Sequence, residues 1–267
     1  MELYKELTKL RCFTRQELIR LTGSESSAEW RIKDYLKRGY IERIRRDLYA
    51  VISMETEQPI ANRFHIASKT TEKSFVSYHS AFEYYGYANQ VFNEVYFSVG
   101  KRVRPFYFDG ISYCPIVNDK DVGIIETDIG VRISSLERTV IDGIERFEKI
   151  GGLEELLRCI ALIPSLDADK LLEALEAYGF GQLYQKTGYI LEFFCNELSL
   201  PESFFSTCEK RSSASKMYLC ERQEDFILYP RWRLFAPKDL NTLINKGVWL
   251  YGNVPKSSMI INYHRKN

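Results

Sequence analysis

The residues best suited to chemistry lie between Ser26 and Arg46, and the chemistry is recognition of a polyanion. On a helical wheel stepping ~100° per residue, Ser26, Trp30, Lys33 and Lys37 share one face, with Ser27, Arg31 and Asp34 on its flanks. Ala28, Ile32, Tyr35 and Leu36 fall on the opposite side and are expected to face a core. Lys and Arg read guanine edges in a major groove, and Ser serves bases or phosphates. Trp30 is a large aromatic on the solvent side, where its indole would pack on a thymine methyl or a sugar. The competing reading is a solvated face with Trp30 covering another part of the chain. Arg43, Arg45 and Arg46 follow shortly afterwards around a turn. On a lone hairpin they would only blunt an edge strand; beside a basic helix they read as phosphate contacts.

A second constellation points to a different class of function. Asp119, Asp121, Glu126 and Asp128, near Lys120, are the best carboxylates for a nucleic-acid-processing enzyme, a nuclease targeted by the basic N-terminal segment. Loops also gather Asp and Glu for turn chemistry, so this reading ranks second. His65, His79 and His264 are too few for a multi-histidine metal site, and His79 reads as a packing residue. Ser135 and Glu137 resemble a helix cap, with Arg138 and Asp142 one turn apart as a structural pair. No P-loop, GxGxxG, GxSxG or HExxH is present. Neither a cofactor nor a metal is expected, and a non-enzymatic protein is. The six cysteines (Cys12, Cys114, Cys159, Cys195, Cys208, Cys220) form no CxxC pair and read as reduced core residues.

The elements that must position these side chains are legible in outline. Leu3, Leu7 and Leu10 mark a first helix from about Glu2 to Leu10. Thr14-Arg15-Gln16-Glu17 is a capping-box pattern that starts a second helix, which stops at Gly23. Ser24 offers an N-cap for a third, helical from Ser26 to Arg38 and ended by Gly39. Tyr40–Arg45 and Leu48–Ile52 read as two strands around Arg46-Asp47. Three helices and a hairpin make a winged helix over residues 1–53, with a linker at 54–59.

A second unit is expected over residues 60–245. Helices are expected near Arg63–Lys69 and Tyr78–Tyr85, then strands at Val91–Val99, Arg104–Phe108, Ile111–Val117, Val122–Glu126 and Val131–Ser134. Asp109-Gly110 signals a hairpin. Residues 135–210 are mostly helical in pattern, a late strand is expected at Trp232–Phe235, and residues 246–267 are unassigned. The fold class is therefore α+β: an N-terminal winged helix-turn-helix, then a mixed α/β domain with an antiparallel sheet and a helical C-terminal part.

Composition bounds the possibilities without choosing among them. The 267 residues are 45% apolar and 27% charged with a net charge of +1, proportions of an ordinary globular chain. Residues 1–52 hold 12 Lys and Arg against 8 Asp and Glu, whereas the remainder holds 25 against 28. The basic excess is N-terminal, and the acidic remainder shows no basic stripe of its own. Met1–Lys5 has no apolar signal region and no stretch is long enough for a membrane span, so a cytoplasmic protein is expected.

Phe13–Val51 resembles the winged helix of AbiEi-type antitoxins. Ser74–Gly86 looks like their signature after the linker, and Asn93–Tyr96 and Ser135–Asp142 continue it in order. Gly151–Leu156, Gly188–Glu192 and Trp232–Leu234 extend the likeness to about residue 245. Two departures stand out: Asp47 replaces the usual Gly before the wing's Leu-Tyr, and Tyr85 replaces a His before the Gly of the signature. Asp tolerates a left-handed backbone, so the wing turn should survive; Tyr85 removes any role of an imidazole there. The resemblance implies an antitoxin of a type IV toxin–antitoxin system, a winged-helix regulator of a phage-defence operon. Such a protein represses its own operon and opposes a nucleotidyltransferase-type toxin without requiring a stable complex. Its DNA partner would be an inverted repeat in its own promoter, bound by two copies of the chain, with antitoxic activity in the second unit.

Overall fold

The computed structural model describes residues 2–221 and 226–245; His264 and the unassigned stretch 246–267 lie outside the described residues. Capping chemistry organises the start of the chain. After α1 (Glu2–Leu10) and the short strand β1 (Cys12–Thr14), the Thr14 hydroxyl accepts from the Glu17 amide while the Glu17 carboxylate accepts from the Thr14 amide at 2.8 Å. This capping box opens α2 (Arg15–Thr22), which Gly23 closes at φ 76°. Ser24 caps α3 (Glu25–Lys37), and Gly39 turns the chain at φ 71° into the hairpin of β2 (Ile41–Arg45) and β3 (Leu48–Val51). Asp47 adopts φ 60°, the left-handed conformation that the wing turn requires. β1 pairs with the other edge of β3, giving the order β1-β3-β2.

β3 explains how the two units meet. Alternate side chains of a strand point to opposite faces, and all four residues of Leu48-Tyr49-Ala50-Val51 are buried. Tyr49 and Val51 close the winged-helix core with Leu7, Phe13, Leu18, Ala28, Ile32, Tyr35 and Ile41. Leu48 and Ala50 point the other way, joining Cys12 and Ile44 in a core with Ile66, Val76, Val95, Phe97, Val131 and Ile133 of the second unit. The uninterrupted apolar run is thus a strand buried on both sides.

The segment expected as a linker is a tight reversal. The Ser53 amide donates to the Gln58 carbonyl, Ile52 pairs with Pro59, and the Ile60 amide returns to the Val51 carbonyl at 2.9 Å. Two polar ties reinforce the shared wall: Lys69 to Glu17 at 2.5 Å, and Arg11 to the His65 ring at 2.7 Å.

The second unit opens with α4 (Arg63–Ser68), β4 (Phe75–Val76) and α5 (His79–Tyr85). It continues through β5 (Glu94–Val99), β6 (Phe106–Phe108), β7 (Ile111–Val117), β8 (Ile124–Glu126) and β9 (Arg132–Ser134). The sheet order is β6-β7-β5-β4-β9-β8. β4–β5, β6–β7 and β8–β9 pair antiparallel, and β5–β7 and β4–β9 pair parallel. The parallel β4–β9 pairing was not legible, because β4 has only two residues and its period cannot be read. Asp109-Gly110 forms the expected hairpin, with φ of 49° and 76°.

α4 and α5 lie on this sheet, and through α5 and Ile116 it meets a helical core of α6 (Leu136–Glu145), α7 (Leu153–Ala161), α8 (Ala168–Tyr178), α9 (Gly181–Phe193) and α10 (Glu202–Arg211). A small sheet of β10 (Met217–Tyr218), β11 (Phe226–Tyr229) and β12 (Leu234–Pro237) follows in the order β10-β12-β11, then α11 (Leu240–Asn245). The late strand thus begins at Leu234, after Trp232. Arg233 takes φ 48° in the preceding turn, and the Trp232 indole lies flat against Gly188, where a Cβ would collide with the ring.

Candidate nucleic-acid interface

α3 is held by its ends and by one side. The Ser24 hydroxyl accepts from the Ser27 amide at 3.2 Å, and Ala28, Ile32 and Tyr35 are buried. Leu36 is 36% exposed at the edge of this stripe. Arg15, at the start of α2, binds Glu25 at 2.6 Å and Glu29 at 2.7 Å and thereby fixes the angle between α2 and α3. The outward face then carries Ser26, Ser27, Trp30, Lys33 and Lys37, all exposed. Trp30 is 58% exposed, and the Arg31 guanidinium lies 4.7 Å from its ring centre. Arg38 is engaged by Asp34 at 2.9 Å, whereas Lys33 and Lys37 have no ion-pair partner among the described residues. The helix therefore presents unneutralised ammonium groups beside an uncovered indole.

The three wing arginines are held differently from one another. β2 and β3 pair Arg43 with Tyr49 and then Arg45 with Leu48, so the register slips between Arg43 and Arg45. Residues directly opposite in an antiparallel pair share a face. Arg43 therefore lies on the Tyr49 side, hydrogen-bonded to the phenol at 3.3 Å. The slip turns Arg45 to the Leu48 side, where its guanidinium sits 5.1 Å from the ring centre of Phe106 on β6. Phe106 in turn stacks on Tyr113 at 4.6 Å. The Arg45 Nη1 is buried without a hydrogen-bond partner among the described residues, and burial lowers its pKa from the usual guanidinium range. Arg46, at the tip, is 93% exposed and 3.5 Å from Asp47. Arg43 and Arg46 thus remain on the outer surface, and Arg45 belongs to the contact between the units.

Sequence reasoning missed a basic segment of the second unit. Lys101, Arg102 and Arg104 are exposed in the loop between β5 and β6, and none has an ion-pair partner among the described residues. The loop runs into Phe106, which carries Arg45, so Arg104 is two residues from the wing contact, whereas Lys101 lines a cavity with Lys73, Asp119 and Asp121. The signal was the run Lys101-Arg102-Val103-Arg104-Pro105, which a net count over residues 53–267, 25 Lys and Arg against 28 Asp and Glu, conceals.

The carboxylates of the alternative reading meet only in pairs, Asp119 with Asp121 in one cavity and Asp121 with Glu126 in another. Asp121 reaches Lys73 at 3.8 Å and Asp119 lies 3.9 Å from Lys120, and Glu126 and Asp128 are exposed. No three His, Cys, Asp or Glu side chains group as metal ligands among the described residues. Arg138 and Asp142 form a fully buried pair at 2.6 Å. Arg138 also donates to the Val122 carbonyl at 2.8 Å, and Tyr178 donates to Asp142 at 2.5 Å, so the pair clamps the chain between β7 and β8. Glu137 accepts from the Asp167 amide, His79 is buried against the Phe92 ring at 4.1 Å, and Tyr85 donates to the Ser134 carbonyl at 2.7 Å. All six cysteines are free. No helix among the described residues is long and apolar enough to cross a membrane.

Residues 2–52 match a family described as transcriptional regulator, AbiEi antitoxin. The resemblance read from the sequence therefore holds for the N-terminal unit, which carries a regulator domain of this kind. No curated protein matches the sequence. Among solved structures, the chain is similar to the crystal structure of the RV2827C protein from Mycobacterium tuberculosis, with a TM-score of 0.57 and 14% identity. That likeness covers 91% of this chain and 92% of the other, and it is a likeness of fold through both units.

Proposed function

We propose that the protein binds duplex DNA in its own promoter region as a transcriptional repressor, and that it acts as the antitoxin of a nucleotidyltransferase-type toxin. The observation that carries the DNA reading is the outward face of α3, where Lys33 and Lys37 stand unpaired beside the exposed Trp30. In a helix-turn-helix this face enters the major groove. Arg43 and Arg46 on the wing, with the exposed Arg104 two residues before Phe106, supply phosphate contacts that fix orientation without reading sequence.

Two copies on an inverted repeat would place half-sites one helical turn apart, ~34 Å, or a multiple of it. The antitoxic activity is assigned to the second unit, which forms the larger core. The match of residues 2–52 to an AbiEi antitoxin regulator supports both roles. The test is binding of the full chain to its promoter and to random DNA across a salt series, together with growth rescue when it is co-expressed with the toxin of the adjacent reading frame. Equal affinity for the two DNAs sinks the repressor reading; growth arrest despite soluble antitoxin sinks the other.

A further inference from the structure

A cavity of about 360 Å³ opens where the two units face each other, and none of its lining residues lies on α3 or the β2–β3 hairpin. One wall is the outer side of α2, with Glu17 and Arg20; the other comprises Lys69 and Glu72 after α4 and Glu126 and Arg132 of the β8–β9 hairpin. We propose that this cleft binds a small zwitterion of the α-amino-acid class and thereby couples such a metabolite to the winged helix.

The charge inventory selects the ligand. Three cations and three carboxylates line the cleft, so it offers no net field for a nucleotide or other polyanion, nor for a polyamine. No aromatic ring lines it, which removes the platform a nucleobase would stack on. Arg20 is exposed and has no partner among the described residues. Arg132 spends one donor on the Glu72 carbonyl at 2.7 Å and keeps the rest of its fork. Guanidinium groups bind carboxylates through paired donors. The side-chain carboxylates of Glu72 and Glu126 have no partner among the described residues and suit an ammonium group. A molecule carrying both charges on adjacent atoms satisfies both sets together, and the volume lies in the range of small-ligand pockets.

The floor links occupancy to α2. Lys69 binds one oxygen of Glu17 at 2.5 Å, while the other accepts from the Thr14 amide at 2.8 Å in the α2 capping box. A ligand spanning Arg20 and Arg132 braces α2, and with it α3, against the second unit. Pre-ordering a binding element removes part of the cost of association. Promoter affinity therefore rises when the cleft is filled, a consequence that rests on the DNA-binding reading proposed above.

The experiment is calorimetric titration of the DNA-free full chain with each standard amino acid, with putrescine and succinate as single-charge-type controls. One or more amino acids should bind. Arg20→Ala, Arg132→Ala and Glu126→Gln, each verified as folded by circular dichroism, should weaken that binding ~10-fold or more, as expected for lost charge-assisted hydrogen bonds. The proposal is overturned if no amino acid binds, if the three variants bind like the wild type, or if putrescine or succinate binds as tightly as the best amino acid. Repeating the promoter titration with the bound amino acid tests the coupling, which an unchanged affinity overturns. A chain that binds no DNA at all refutes the repressor reading alone, since the calorimetry is read without DNA.

Discussion

α3, with Arg31, Lys33 and Lys37, and the wing, with Arg43, Arg45 and Arg46, carry cations at similar density, yet the structure holds them in opposite ways. α3 is fixed by its own cap, its buried stripe and Arg15, which leaves Lys33 and Lys37 uncommitted. The wing is fixed from outside, through Leu48, Ala50 and Arg45 docked on the second unit. Charge type alone thus does not reveal which side chains are available to a partner. Register and neighbours do.

The largest expected effect breaks the docking itself. Leu48→Ala removes a side chain 2% exposed in the shared core, and such truncations cost ~2–5 kcal/mol. Because β3 serves both cores, scanning calorimetry should show one transition moving down as a whole. Two separate transitions, with only the smaller displaced, would mean that the units are energetically independent.

Next comes the helix side of the contrast. Lys33→Ala should cost ~1–3 kcal/mol in promoter binding if the ammonium meets a base, and should relax sequence preference at one position per half-site. Binding to random DNA should hardly change. An equal loss on both DNAs would reassign Lys33 to a phosphate.

The wing arginines sharpen the comparison at smaller amplitude. Arg46→Ala should lower the salt slope of binding by ~1 for one lost phosphate contact. Arg45→Ala should leave that slope unchanged and instead lower thermal stability, through the lost stacking on Phe106. A salt slope reduced equally by both variants would show that Arg45 leaves Phe106 to reach DNA.

The smallest effect is a pH dependence of the contact between the units. The Asn62 side-chain oxygen accepts from the Phe64 and His65 amides and lies 2.7 Å from His65 Nδ1, while His65 Nε2 lies 2.7 Å from Arg11 and 3.0 Å from the Ile129 carbonyl, which favours a protonated ring. Burial, with Arg11 and Lys69 nearby, outweighs that carbonyl and lowers the pKa of His65 from its ordinary value. The unfolded chain therefore takes up the proton first as pH falls. This contribution is fully present above the unfolded value of ~6.5 and is lost as pH drops from there towards the lower folded value. Melting temperature followed between neutral and mildly acid pH should fall more steeply for the wild type than for His65→Asn. Parallel curves would remove His65 from the balance.

Much of the N-terminal unit was legible because local chemistry dictates it. The Thr14 capping box, Ser24, Gly39 and the left-handed Asp47 each act within a few residues, and each appears where expected. What escaped notice depends on distant partners. β1 is three residues long and exists because Cys12–Thr14 meets β3. β4 is two residues long and is defined by β5 and β9. The side on which Arg45 emerges follows from a register slip that no periodicity announces. The exposed face of α3 needed only a helical period, and so its composition could be read directly.

The double burial of β3 also has a consequence in time. Its winged-helix side meets residues that precede it in the chain, but its other side is completed stepwise, by Ile66, Val76, Val95 and Phe97 and last by Val131 and Ile133, about eighty residues later. At ~5–20 residues per second on the ribosome, that is a delay on the order of 4–16 s. During this interval Leu48 and Ala50 have only part of their wall, with Ile66 arriving early, Phe106 under Arg45 later, and Val131 and Ile133 last. Synthesis of the second unit therefore completes the wing, and a chain interrupted before residue 131 lacks the last part of the surface that sets its final position.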